Sequence, residues 1–236
     1  MGTNRAFVGG SEQDNITSNN ARCIDDCSPR GLGLQRKANV ANVCQLKLIE
    51  KEESQKFKYG KENEKEVEVG KRMVARLIPG DPDLKKGEPA SCNTDQTAMM
   101  ADYREKTKLV GSQLVRGHLL NRWLGGPAKN SNLYPITDNA NSAHSNYVEK
   151  DVKDLVLSQK RSVLYEVNAG PDLGEPCSTW CKKSRFMCQY ETIDGGQPIK
   201  KTITILSDVN GKEWQGRGGA WDVDQNKWLR KIPGQD

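Results

Sequence analysis

The hydrophobic positions of this chain follow two different spacings, and each spacing predicts a different kind of element. In several segments apolar and β-branched residues alternate with polar ones, or form short runs between Gly and Pro, as is typical of β-strands. From residue 139 to 159 they recur at three- and four-residue intervals, which predicts a helix, and residues 94–103 predict another. This mixture indicates an α+β fold. The extended segments are predicted at 43–49, 72–78, 109–120, 133–136, 162–167, 185–193 and 201–206.

Three other stretches are rich in polar residues. Residues 1–35 contain many Gly, Asn and Pro residues, which predicts a linker-like, loop-rich segment. Residues 50–71 mix both signs of charge, so we expect a solvated hairpin or helix rather than a binding site for an acidic polymer. Trp214, Trp221 and Trp228 stand among Gly and charged residues near the end of the sequence. They could stack on nucleobases, but we expect them to anchor a segment with little regular structure.

The composition is that of a folded protein without a membrane-spanning helix. Hydrophobic residues make up 35% of the 236 residues, and 36 basic residues nearly balance 31 acidic ones, which argues against general disorder. The net charge of +5 permits a polyanionic partner. No window approaches about 18 consecutive apolar residues, so we expect no membrane insertion. The first residues lack the apolar core of a secretory signal peptide, and we expect none.

The seven cysteines allow three interpretations. Disulfide bonds would indicate an oxidising destination, and the odd number would leave at least one thiol unpaired. A zinc site could use Cys177, Cys181 and Cys188, although this spacing is not that of a standard zinc knuckle. Scattered buried thiols are the third interpretation. The remaining cysteines are Cys23, Cys27, Cys44 and Cys92.

Two histidines and the polar residues that follow the first of them are the candidates for chemistry. His118 ends an apolar stretch and precedes a Gly-rich loop, whereas His144 lies on the predicted helix, where we expect it to be partly exposed, with a position near the metal ion as the alternative. Asn141 and Glu149 are eight residues apart, about two α-helical turns plus 80°, so they could reach one ion together with its waters. Asn141 would supply a neutral oxygen to a hard cation, and Glu149 would hold one of its waters. Asn139 is an alternative ligand by residue type.

Several short motifs follow one another in the middle of the chain. They are Ala101-Asp102-Tyr103, Arg116-Gly117-His118, Gly125-Gly126-Pro127, Asn132-Leu133, Asn141 and Glu149. Their order and spacing resemble those of the ββα-metal (His-Me finger) nucleases, in particular the non-specific DNA/RNA endonucleases of the Serratia nuclease type. The run from Gly117 to Leu133 is also similar to relatives at the C-termini of bacterial polymorphic toxins. The resemblance is strong over about residues 101–150 and weaker over about 70–206.

The resemblance implies a role for each matching residue. His118 would be the general base that takes a proton from the attacking water, and Asn141 the direct Mg²⁺ ligand. Glu149 would orient a metal-bound water, Asn132 would support His118 or the metal shell, and Arg116 would contact phosphate or brace the site. The family also has an upstream arginine that stabilises the transition state and contacts substrate. The candidates for that position are Arg76, Lys85, Lys86 and Arg104.

The resemblance also implies a fold and a function. The fold would be an antiparallel sheet with a strand–loop–strand–helix active site at about 109–160, inside a nuclease domain that spans 36–236. The activity would be Mg²⁺-dependent cleavage of DNA, with RNA as a second substrate, little sequence specificity, and Mn²⁺ able to replace Mg²⁺. We expect a toxin domain that is delivered without a signal peptide, acts in the target cell and is inhibited by a cognate immunity protein.

Two other functional classes stay open from the sequence. A nucleic-acid-binding module without catalysis would use basic residues around 182–185 and 200–201 together with the C-terminal tryptophans, and its affinity would fall with salt. An interaction domain held together by disulfides or zinc would depend on the cysteines instead. Neither alternative needs His118, so replacing this residue distinguishes both from the nuclease.

Overall fold

The computed structural model describes residues 48–108, 113–172, 182–209 and 217–231. The predicted linker-like segment 1–35 lies outside these residues. Seven strands form one antiparallel sheet in the order β1-β2-β5-β6-β7-β8-β9, while β3 and β4 form a separate two-stranded hairpin. The strands are β1 (Ile49–Tyr59), β2 (Lys65–Leu77), β3 (Leu114–His118), β4 (Leu133–Thr137), β5 (Val163–Pro171), β6 (Lys183–Thr192), β7 (Lys200–Asp208), β8 (Arg217–Asp222) and β9 (Lys227–Arg230).

The mixed-charge stretch forms the hairpin of β1 and β2, one of the two elements expected for it. Phe57 and Val69 are buried on one face, whereas most of the charged residues between them point to solvent. Alternation of this kind is typical of a sheet with one covered face. The predicted first helix forms α1 (Thr97–Thr107), which buries Met99, Met100 and Tyr103.

The second predicted helix is continuous but not regular. It consists of α2 (Asp138–His144), a π-helical turn (Ser145–Glu149), α3 (Lys150–Lys153) and a second π-helical turn (Asp154–Ser158). We refer to the whole as the composite helix 138–158. Its N-terminus is capped by the Thr137 side chain, which accepts a hydrogen bond from the Ala140 N–H.

The composite helix packs between the β3–β4 hairpin and the sheet. Its first segment contacts β7 and β8 on one side and the hairpin on the other. In the core beneath it, the Tyr134 ring lies edge-on to Phe57 and to Phe186, with centroid distances of 5.5 Å and 5.7 Å. Two strands and a helix thus pack as one unit against the sheet, and the predicted α+β fold is confirmed.

The C-terminal segment is more regular than the sequence indicated. Within the described residues, β8 and β9 form a hairpin that extends the sheet. Trp221 and Trp228 face each other across it, with ring centroids 5.2 Å apart and planes at 73°. The expectation of little regular structure was therefore wrong, because a cross-strand aromatic pair stabilises a strand pairing that Gly and charged residues obscure in the sequence. Trp214 lies outside the described residues.

Two cysteines are described, and they have different states. Cys92 is disulfide-bonded, so the disulfide interpretation holds for this residue. Cys188 is a free thiol on β6 and is fully buried, which raises its pKa well above the ordinary value. The other two members of the suggested zinc site, Cys177 and Cys181, lie outside the described residues. No helix within the described ranges has the length and hydrophobicity to cross a membrane.

We expect Gly218→Ala to destabilise the protein, because β8 touches the first turn of α2 at this residue. A Cβ on Gly218 would lie 2.2 Å from the Asn139 carbonyl carbon and 2.2 Å from the Ala140 nitrogen. The resulting overpacking should cost about 1–3 kcal/mol, which lowers the Tm by about 2–4 °C per kcal/mol in a chain of this size. Gly170→Ala is the matched control, since a Cβ there meets nothing within 4 Å. Equal melting temperatures for the two variants would contradict the contact.

Candidate active site

His118 is the last residue of β3, and its ring is oriented by a backbone carbonyl. Its Nε2 lies 3.0 Å from the carbonyl oxygen of Glu88. Because a carbonyl can only accept a hydrogen bond, Nε2 carries the proton in the neutral ring, and Nδ1 keeps its lone pair. His118 therefore presents one nitrogen that can accept a proton.

Asn141 approaches the end of β3 from the first segment of the composite helix. Its Oδ1 lies 3.4 Å from the position that a Cβ on Gly117 would occupy, and such a Cβ would also collide with the Ile136 side chain. The glycine between Arg116 and His118 therefore lets the helix approach β3 closely. This close approach brings the Asn141 amide beside the backbone that carries His118.

The π-helical turn aligns Glu149 with Asn141. Its defining bond runs from the Lys150 N–H to the Ser145 carbonyl, five residues apart. A π-helical turn contains one more residue than an α-helical turn. The eight residues from Asn141 to Glu149 therefore rotate about the helix axis as far as seven α-helical residues would, which is about 20° short of two full turns. The sequence predicted an offset of about 80°. The two side chains consequently lie on nearly the same face of the helix, which corrects the expectation of neighbouring faces.

Glu149 is a buried carboxylate, 5% exposed, whose oxygens are fixed from several sides. Its Oε2 accepts a hydrogen bond of 2.7 Å from Asn121 Nδ2 and lies 3.6 Å from Lys153 Nζ. Its Oε1 lies 3.5 Å from His144 Nδ1. A buried charge needs such partners, and they restrict the carboxylate to one orientation.

His144 is fully buried, so the expectation of partial exposure was wrong. Its Nε2 is within 3.0 Å of the Tyr165 hydroxyl, which also reaches the Leu119 carbonyl at 3.2 Å. Burial lowers the pKa of His144, while the nearby Glu149 opposes this shift. The residue connects Glu149 to the core beneath the composite helix, and the helical periodicity alone did not distinguish this from an exposed position.

His118, Asn141 and Glu149 line one open cleft of about 380 Å³. Among the described residues that line it, three are basic (Arg116, Arg122 and Lys153) and one is acidic (Glu149). A cleft with this balance attracts anions. The full set of lining residues is Pro89, Ala90, Arg116, His118, Asn121, Arg122, Trp123, Asn141, Ser145, Glu149 and Lys153.

Arg116 is half-buried at the wall of the cleft. Its Nη1 donates a hydrogen bond of 2.6 Å to the Asn93 carbonyl. Burial lowers the pKa of Arg116, and the nearby positive charge of Arg104 acts in the same direction. No carboxylate in the described part of the chain forms an ion pair with either guanidinium. Two neighbouring cations without an acidic partner favour an anion such as phosphate.

The other predicted site residues do not line this cleft. Asn132 is buried and braces the loop after His118, since its side chain bonds the Leu120 N–H and carbonyl and the Pro127 carbonyl. Lys85 is exposed, and Lys86 lies 3.3 Å from Asp83. Arg76 is paired with Glu50 on the sheet. The cleft instead contains residues that the sequence did not single out: Asn121, Arg122, Trp123, Ser145 and Lys153.

One comparison with known proteins covers the hairpin, the composite helix and the cleft. Residues 75–170 match the family model of the DNA/RNA non-specific endonucleases. Over these residues the chain is similar to the DNA/RNA non-specific endonucleases. The matched region begins within β2 and ends within β5, so it contains the hairpin, the composite helix and every lining residue of the cleft. The resemblance to Serratia-type nucleases is confirmed; the toxin context stays a prediction. No curated protein and no solved structure matches the chain.

The donor atoms in the cleft suit a hydrated divalent cation. In residues 48–108, 113–172, 182–209 and 217–231, no group of three or more His, Cys, Asp or Glu side chains could hold a metal ion. The cleft offers instead the amide oxygen of Asn141 and the carboxylate of Glu149. Mg²⁺ prefers oxygen ligands and keeps several waters, so one or two protein oxygens are enough. The residues present therefore fit such an ion.

Proposed function

We propose that this protein is a Mg²⁺-dependent endonuclease that hydrolyses phosphodiester bonds of DNA, and of RNA as a second substrate, with little sequence specificity. One observation carries the proposal. A single cleft combines a histidine nitrogen that can accept a proton, an amide oxygen, a carboxylate and three basic side chains, and it lies inside the region that matches the endonuclease family model. The proposal assigns to the cleft the hydrolysis of a phosphodiester.

His118 would act as the general base through Nδ1. The Glu88 carbonyl holds Nε2–H, so the ring cannot turn its free nitrogen away without losing this hydrogen bond. Nδ1 would take the proton from the attacking water as the water's oxygen bonds to phosphorus, and the leaving oxygen would depart from the opposite side. General-base catalysis of this kind typically contributes about 10²–10⁴-fold.

Asn141 would hold the metal ion through Oδ1, and Glu149 would hold one of its waters. Asn121 and Lys153 keep the Glu149 carboxylate in place. When bound, a divalent cation stabilises the negative charge that develops on the phosphate and on the leaving oxygen. Lys153 would also contact the phosphate, together with Arg116. For contacts farther along the strand, Arg104, Lys85 and Lys86 stay the candidates.

The activity should rise with pH around a midpoint below the ordinary histidine pKa. Burial lowers the pKa of His118 below the ordinary value of 6.5, the Arg122 charge adds to this, and the Glu88 carbonyl and Glu149 oppose it. The base works only when neutral, and a lowered pKa means that it loses its proton at a lower pH. We expect kcat/KM, measured at saturating Mg²⁺, to rise with a midpoint below pH 6.5 and to level off by about pH 7. A midpoint above pH 7 would contradict the assignment.

Closed circular plasmid DNA tests the endonucleolytic part of the proposal. A circle has no ends, so only an endonuclease can relax and then linearise it. The proposed contacts are made to the sugar-phosphate backbone. We therefore expect sequencing of the early products to show cuts at many unrelated positions. Cleavage that requires free ends, or that falls at one short sequence, would overturn the proposal.

We also propose that the endonuclease is a toxin effector that is secreted or delivered into another cell. The disulfide at Cys92 is consistent with time spent outside a reducing cytosol. A producer must restrain such a nuclease, which requires a cognate immunity protein. Cytosolic expression should stop growth for the wild type and not for His118→Ala. Affinity capture from the producing cell should recover the inhibitor, and recovery of none would count against the toxin role.

A further inference from the structure

Trp123 is an exposed aromatic side chain at the wall of an otherwise polar cleft. It is 48% exposed, although it lines the same cleft as His118 and Glu149. The other large hydrophobic side chains that are exposed in the described ranges, Ile199 and Val223, do not line this cleft. About half of the indole surface is therefore open to the cleft, where a bound ligand could contact it.

The backbone that carries Trp123 is held in place by the catalytic cleft itself. Residues Arg122–Leu124 form a 3₁₀ turn, in which the Trp123 N–H donates to Asn121 Oδ1 at 2.9 Å. The amide nitrogen of the same Asn121 donates to Glu149 Oε2 at 2.7 Å. Leu124 is buried beneath the turn, and the Gly87 N–H bonds the Arg122 carbonyl at 3.2 Å. One asparagine thus fixes the position of Trp123 relative to Glu149.

Arg122 completes an arrangement that suits a nucleotide. Its guanidinium carbon lies 4.7 Å from the centroid of the Trp123 ring, a cation–π contact. The positive charge lies over one face of the ring, and both residues line the same cleft. An aromatic surface next to a cation offers one contact to a base and one to its phosphate, which is how proteins bind single-stranded nucleic acids without reading their sequence.

We propose that Trp123 stacks on a nucleobase next to the scissile phosphate and makes single-stranded or unpaired nucleic acid the preferred substrate. This inference rests on the proposed nuclease function and names its substrate class. In a duplex both faces of each base are covered by neighbours, so a base must first be flipped out to reach the ring. An unpaired base can stack directly. Since every base has a π face, stacking is compatible with weak sequence preference.

Binding to two oligonucleotides of the same sequence tests the proposal. His118→Ala protein, which should cut at least about 100-fold more slowly than the wild type, is titrated in Mg²⁺ against a fluorescent single strand and against its duplex, and anisotropy is measured. Adding Trp123→Ala should weaken single-strand binding about tenfold or more, and duplex binding by less than about threefold. Trp123→Phe should stay within about threefold of the parent, because a phenyl ring still stacks. Val223→Ala, an exposed apolar position outside the cleft, is the control.

Two outcomes would overturn the stacking role. In one, Trp123→Ala binds the single strand as well as the parent does; in the other, it weakens single strand and duplex equally. The comparison needs no catalysis, so it decides the question even if the wild-type protein cuts neither polymer. Absence of cutting would overturn the proposed function, and it is measured separately with the wild-type protein.

Discussion

Replacing Asn141 with alanine is expected to reduce kcat/KM at limiting Mg²⁺ by at least about 100-fold, since even the outer partners of metal ligands typically contribute about 10–100-fold. The amide oxygen of Asn141 is a neutral metal-ligand candidate in the cleft, and it lies 3.4 Å from the position that a Cβ on Gly117 would occupy. Without it, the ion would be held only through water contacts to Glu149. We therefore expect direct Mg²⁺ or Mn²⁺ binding, measured by calorimetry, to weaken together with activity.

Asn139 provides a matched control on the same helix. Its side-chain oxygen accepts a hydrogen bond from Arg230 Nη2 at 3.2 Å, and it does not line the cleft. Asn139→Ala should therefore keep its activity and metal affinity within about threefold of the wild type. If Asn139→Ala loses metal affinity while Asn141→Ala keeps it, the ligand assignment is wrong.

Replacing His118 with alanine should lower kcat by about 10²–10⁴-fold, the usual contribution of a general base. The variant should still bind metal and nucleic acid, because Asn141, Glu149 and the basic side chains stay in place. Single-turnover cleavage isolates the chemical step and is the measurement to use. Added imidazole should restore part of the activity, since it can occupy the emptied space and accept the proton.

Folding must be shown to survive this substitution. His118 is half-buried, and its side chain forms a hydrogen bond to the Glu88 carbonyl. Losing one such bond typically costs about 0.5–1.5 kcal/mol, so His118→Ala should melt within a few degrees of the wild type. A variant that melts normally and cuts at the wild-type rate would show that another group is the base.

The elements could be predicted where one periodicity dominates a segment. The β8–β9 hairpin was missed because its stability comes from the Trp221–Trp228 contact, which exists only after the strands pair. Sequence periodicity does not include contacts of that kind.

The residues of the candidate site could be predicted where they belong to the spaced motif. His118, Asn141 and Glu149 do line one cleft. The π-helical turn that aligns the last two could not be inferred, because the sequence does not show where a helix accommodates an extra residue. Lys153 was predictable in principle, since it is four residues after Glu149 on the helix. Trp123 was not, because a loop has no periodicity that indicates which side chains face a cleft.

Degradation of plasmid DNA and total RNA by the purified protein tests the central claim most directly. Wild type and His118→Ala are incubated side by side in Mg²⁺ and in EDTA, and the remaining polymer is followed over time. We expect the wild type to degrade DNA, with RNA as a second substrate, in Mg²⁺ and neither polymer in EDTA, while His118→Ala leaves both largely intact. Degradation that persists in EDTA, or that is equally fast in His118→Ala, would contradict a metal-dependent nuclease built on this cleft.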